Sequence, residues 1–142
     1  MARQAEATWK GDLKGGSGRV KLGSGAYEGN YSFATRFENG AGANPEELIG
    51  AALAGCYSMA LANSLAQAGF TATSVHTSAE VNLGKDDTGF LINQIDLTVD
   101  AVVPKVDQAT FQQHVEKTKT GCIISRALGS VPKMEVKATL KN

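Results

Sequence analysis

The chain has 142 residues, 42% of them apolar and 20% charged, with 14 basic side chains balancing 14 acidic ones. That length fits one domain, 1–142, with a buried core, and the charge balance leaves no electrostatic footprint for nucleic acid or an anionic membrane. No apolar run reaches the roughly 20 residues that cross a bilayer, and the segment Met1 to Asp12 has no apolar stretch of a secretory signal, so the expectation is a soluble cytoplasmic protein with neither nucleic acid nor membrane as partner.

Three short alternating segments come first. Ala5–Lys10, Gly18–Leu22 and Asn30–Glu38 read as strands joined by turns at Gly11, Gly23 and Gly29. This places Arg36 at the end of a strand. Residues 38–43 break the alternation and read as a loop.

Asn44-Pro45-Glu46-Glu47 then starts a helix. Asn44 can cap a free N–H, Pro45 fits the first helical position, and Glu47 can complete a capping box. Both glutamates also suit the positive end of the helix dipole. From Pro45 the helix runs on through Leu48 to Ala66, with Gly69 as its C-cap. After Glu47 it carries no charge, which predicts burial on all sides. A hairpin follows. Val75 to Leu83 and Ile95 to Val103 alternate on either side of a turn over residues 84–89. Asp107 caps a helix through Phe111 and Val115 to about Lys119, and Gly121 ends it. Cys122 to Leu128 reads as a short helix and Met134 to Leu140 as a last strand. The order β-β-β-α-β-β-α-α-β is α+β.

The chemistry rests on two cysteines, Cys56 and Cys122. In a reducing compartment a persistent thiol pair reads as catalytic, redox-sensing or metal-bound. There is no C-x-x-C, and His76 and His114 do not sit at zinc-ligand spacing. Cys56 lies within the uncharged helix, where a cysteine also serves as a small apolar residue. A reactive thiol there needs a cation from elsewhere. Arg36 is the best candidate, although taken alone it reads as a solvated strand-end arginine. Cys122 opens a helix, so free N–H groups can point at its sulfur, and Ser125 can cap or hydrogen-bond locally.

Thr35-Arg36-Phe37-Glu38, the run from Asn44 to Ala52, Gly55-Cys56 and Gly121-Cys122-Ile123-Ile124-Ser125 together resemble the OsmC/Ohr family of osmotically inducible and organic-hydroperoxide-resistance proteins. The placement of the arginine in Thr-Arg-Phe-Glu is closer to the OsmC subfamily, and the likeness extends over essentially the whole chain. The resemblance implies antiparallel sheets around two central helices in an intertwined homodimer with two active sites at its interface. It implies a thiol peroxidase that reduces organic hydroperoxides in stress defence, with an external dithiol as reductant. By position, Cys56 matches the peroxidatic cysteine, Cys122 the resolving cysteine, Arg36 the arginine that stabilises the thiolate, and Glu46 the glutamate that holds that arginine. Ile123 departs from the proline the family usually has after the second cysteine, and Arg126, about one helical turn after Cys122, is a second cation that could compensate. Glu46 and Cys56 are ten residues apart on one helix, roughly 15 Å along its axis. Two antiparallel copies about a two-fold axis near Ala51 bring Glu46 of one beside Cys56 of the other. Other readings of the same residues are a non-catalytic dimeric module that binds a small hydrophobic ligand, and a structural stress protein with inert thiols.

Overall fold

The computed structural model describes residues 1–142 and comprises two compact units, Met1–Leu48 and Ile49–Asn142. The first holds an antiparallel sheet of β1 (Ala5–Lys10), β2 (Ser17–Leu22) and β3 (Glu28–Tyr31) in that order. The register places Trp9, Gly18 and Tyr31 in one row and Ala7, Val20 and Gly29 in the next. Small and apolar residues therefore share one face, as the period of two requires. Trp9 and Tyr31 meet with ring centroids 5.4 Å apart, directly over Gly18, where a side chain would strike both rings.

The expected third strand is shorter than its alternation suggested. After Tyr31 the chain turns into a short helix, α1 (Phe33–Phe37), so Arg36 lies on a helix and not at a strand end. The reason is local. Ser32 Oγ accepts from Thr35 N–H at 3.2 Å while Thr35 Oγ1 accepts from Ser32 N–H at 2.8 Å, a reciprocal capping box that outweighs strand propensity. Gly29 likewise lies inside β3, and the reversal before it uses Gly25 at φ +78°.

Helix α2 (Pro45–Gln67) starts where expected. Asn44 Oδ1 accepts from Glu47 N–H at 2.7 Å, and Asn44 Nδ2 donates to Thr35 O at 3.1 Å. Asn44 caps without the reciprocal bond from Glu47. The helix ends at Gly69, φ +93°, where Phe70 N–H reaches Leu65 O at 2.9 Å and Gly69 N–H reaches Ala66 O at 3.0 Å, the αL ending that glycine favours. Two expectations about α2 are corrected. By length and composition it is apolar enough to cross a bilayer, a test that core helices of soluble proteins also pass. Within the chain it is also not covered on all sides. Leu53, Tyr57, Leu61 and Leu65 are fully buried, while Ala51, Ala52, Gly55, Met59, Asn63 and Ala66 are exposed. Steps of about four residues put the first set on one stripe and the second on the opposite face.

The second unit is built on β4 (Ser74–Asp86) and β5 (Gly89–Val102), an antiparallel pair. Both strands run closer to the turn than expected, leaving only Asp87 and Thr88 between them, and a bulge shifts the register at Asn82/Leu83. Ile95, Leu97, Val99, Ala101 and Val103 form the buried face of β5 and its end. They pack with the α2 stripe and with Phe111 and Val115 of α3 (Gln108–Gly121). Asp107 caps α3, accepting from Thr110 N–H at 2.8 Å. The short α4 (Ile123–Ala127) follows, and β6 (Lys133–Leu140) closes the sheet beside β5. The α+β class holds, with one refinement: β6 runs parallel to β5. A parallel neighbour needs a crossover, here α3 and α4, rather than a tight turn.

Candidate active site

Each fully buried leucine of the α2 stripe contributes about 1.5–3 kcal/mol, several times a net hydrogen bond. Core burial therefore sets where α2 lies, and polar contacts refine its rotation. One of these is the Tyr57 hydroxyl, which donates to Val115 O at 2.9 Å and joins α2 to α3. Burial pushes the Tyr57 phenol well above its ordinary range, and negative charge on Glu116 and Cys122 adds to the effect.

Cys56 precedes Tyr57 and so sits at the edge of the buried stripe, half-buried, with a free thiol. Its sulfur accepts the backbone N–H of Ile124 at 3.5 Å. Cys122 is 2% exposed and also a free thiol. It ends α3, its N–H bonded to Thr118 O at 3.1 Å, and it is the N-cap of α4. Its sulfur accepts Ser125 N–H at 3.3 Å and lies 3.0 Å from Ser125 Oγ. The second unit thus brings together two sulfurs far apart in sequence, on consecutive amides of one helical turn.

The first unit holds the other two predicted residues. Arg36 Nε donates to both carboxylate oxygens of Glu46, at 3.1 and 3.2 Å, and Arg36 Nη2 donates to Oε1 at 2.6 Å. Glu46 is buried at 8% exposure, whereas the Arg36 side chain retains 40%. The guanidinium is held along one edge and leaves Nη1 outside the pair, with its carbon 5.4 Å from the Phe37 ring centroid. Arg126, the other cation considered, is exposed on α4 and its guanidinium forms no ion pair; only its backbone N–H meets Cys122, at the carbonyl oxygen, 3.0 Å away.

A family model described as OsmC-like protein matches residues 38–137, a span that contains Glu46, Cys56 and Cys122 and begins just after Arg36. The chain belongs to the OsmC-like family. A curated family member, Peroxiredoxin OsmC of Escherichia coli, is 48% identical over 127 residues, which is 89% of each chain. Among solved structures, an organic hydroperoxide resistance protein from Elizabethkingia anophelis is 26% identical with a TM-score of 0.69, covering 100% of this chain and 98% of that one. An OsmC-like protein from Mycoplasma pneumoniae shares the fold, with a TM-score of 0.75 at 18% identity, and covers 100% of this chain and 99% of its own.

Sequence reasoning named all four of these residues and noticed Ser125, but it missed two contributors. The Ile124 amide is backbone and has no side-chain signal. Tyr57 had one, because it falls in register with Leu53, Leu61 and Leu65 at steps of four.

Proposed function

We propose that this chain, residues 1–142 acting as one domain, is a cytoplasmic thiol-dependent peroxidase that reduces organic hydroperoxides to alcohols. The observation that carries the reading is the seating of Cys56 and Cys122 on the neighbouring Ile124 and Ser125 amides. The Cys56 thiolate attacks the distal peroxide oxygen. A sulfur–oxygen bond forms, the oxygen–oxygen bond breaks, and the alcohol leaves after taking up a proton. Cys122 condenses with the resulting sulfenic acid to form a disulfide and water, and an external dithiol returns both thiols. None of these steps needs a metal or organic cofactor. Met59, three residues after Cys56, and Ile123, next to Cys122, are exposed at 77% and 75%. Such side chains favour an alkyl or aryl hydroperoxide over hydrogen peroxide.

The working form is a homodimer. Two apolar surfaces lack cover in the single chain: the uncharged face of α2 and the aligned face of β1 to β3, where Ala5 and Ala7 are exposed. A three-stranded sheet of this size relies on a packed face for stability. In the dimer, Arg36 and Glu46 of one chain serve Cys56 and Cys122 of the other, and Arg36 turns its free edge toward the thiolate.

Single-turnover assays of cysteine variants test the reading. Cys56→Ser should consume no peroxide. Cys122→Ser should consume about one equivalent per chain, then stall as a sulfenic or sulfinic acid. Equal loss of the first turnover in both variants would overturn the roles. Wild-type protein that binds a hydroperoxide without reducing it would instead support the binding module.

A further inference from the structure

Ser125 has a buried side chain, 6% exposed, whose hydroxyl has one partner, the Cys122 sulfur at 3.0 Å. Serine in a helix ordinarily turns its hydroxyl to solvent or to a carbonyl of the preceding turn. Ser125 does neither, and its own N–H donates to the same sulfur at 3.3 Å. Both groups that hydrogen-bond Cys122 Sγ therefore come from one residue.

The protonation states give this contact a direction. A neutral thiol can donate its proton to the hydroxyl oxygen, whereas a thiolate can only accept, so the hydroxyl must then donate. The thiolate is the nucleophile. At 2% exposure, water gives it little solvation, and a buried charge needs donors from the protein. The backbone N–H remains in any variant but proline at this position; the hydroxyl is the removable donor.

We propose that Ser125 is a catalytic residue of the resolving step, holding the Cys122 sulfur as a thiolate so that the disulfide closes before Cys56 is oxidised further. The inference rests on Cys122 being the resolving thiol. In the step itself, the Cys122 sulfur attacks the Cys56 sulfur of the sulfenic acid. The sulfur–sulfur bond forms and the sulfur–oxygen bond breaks. The departing hydroxide takes up the proton that Cys122 shed and leaves as water. Cys122 is oxidised, the Cys56 sulfur is reduced, and Ser125 ends as it began.

One equivalent of an alkyl hydroperoxide separates the two steps. Sulfenic acid trapped by dimedone reports the first, and disulfide read by mass spectrometry reports the second. Ser125→Ala should form sulfenic acid at the wild-type rate but close the disulfide about ten- to a hundredfold more slowly, as loss of one hydrogen bond to a charged group implies. Under excess peroxide it should accumulate sulfinic acid at Cys56. The pH at which closure reaches half its plateau should also rise. Ser125→Thr should restore most of the rate and Ser125→Val should not. This pair is matched in size, so a packing defect appears in both and the hydroxyl effect in one. Wild-type closure in Ser125→Ala, an unmoved pH profile, or equal closure in the Thr and Val variants overturns the role. Failure of Cys122→Ser to stall after one equivalent is a separate result and overturns the assignment of Cys122 instead.

Discussion

Three hydrogen bonds from one edge of Arg36 to Glu46 define what that arginine can do. The carboxylate occupies Nε and Nη2, and the planar fork keeps Nη1 pointing away as a second, separate donor. A lysine at position 36 supplies one ammonium, which cannot grip a carboxylate and face another anion through a rigid plane. Arg36→Lys should therefore retain the fold and lose about ten- to a hundredfold in peroxide reduction, the scale of one charge-assisted bond. Stopped-flow consumption of an alkyl hydroperoxide checks this, and a rate within twofold of wild type removes Arg36 from the site. At this scale the sequence was informative where a residue type is chemically scarce. Two cysteines and one Thr-Arg-Phe-Glu run stand out in any chain. The bonds that seat the sulfurs do not, because their donors are the amides of Ile124 and Ser125, and any residue type carries an amide.

Elements bring different forces into view. The Tyr57 hydroxyl joins α2 to α3 from full burial, which raises its pKa in the folded state. The unfolded chain exposes a phenol that ionises near pH 10, as a free tyrosine does. Above that pH the unfolded state sheds a proton that the folded state keeps. Stability is therefore fully present below about pH 10 and falls as pH rises beyond it, by about 1.4 kcal/mol per pH unit for this group. Melting temperatures between about pH 9.5 and 11 should drop more steeply for wild type than for Tyr57→Phe; parallel curves would show that the phenol is not the titrating group. Elements were legible where caps and periodicity agreed. The start of α2 was set by Asn44 and Pro45, its end by Gly69, and the core face of β5 by alternation. α1 is hidden from the alternation, because a helix of five residues offers too short a window for periodicity. Its one signal was the Ser32/Thr35 pair, three residues apart.

At the scale of the whole molecule, the decisive test is complementation. Cys56→Ser and Glu46→Ala subunits should each be inactive alone. If Arg36 and Glu46 serve the partner's thiols, a mixed dimer carries both lesions in one site and none in the other. Mixing should restore up to about half of the wild-type activity per mixed dimer, because a two-fold dimer has two equivalent sites. Activity that stays absent although mass spectrometry shows subunit exchange rules out shared sites, as does an active monomer at assay concentration. The α+β class could be read from the order of elements, but the direction of β6 could not. Alternation in Met134 to Leu140 fits either orientation, and pairing is decided by the length and packing of what precedes the strand.

That direction has a consequence during synthesis. β4, β5 and α2 are neighbours along the chain, and the hairpin can close as soon as both its strands have emerged. β6 must wait for α3 and α4, since Gln94 is paired with Lys133 and Ala101 with Leu140, contacts that close a long loop. Cys122 and Ser125 lie on that loop. A nascent chain thus carries Cys56 well before its last strand can anchor the segment that holds Cys122. On the roles proposed above, the thiol that meets the peroxide is made first, and the one that resolves it is fastened last.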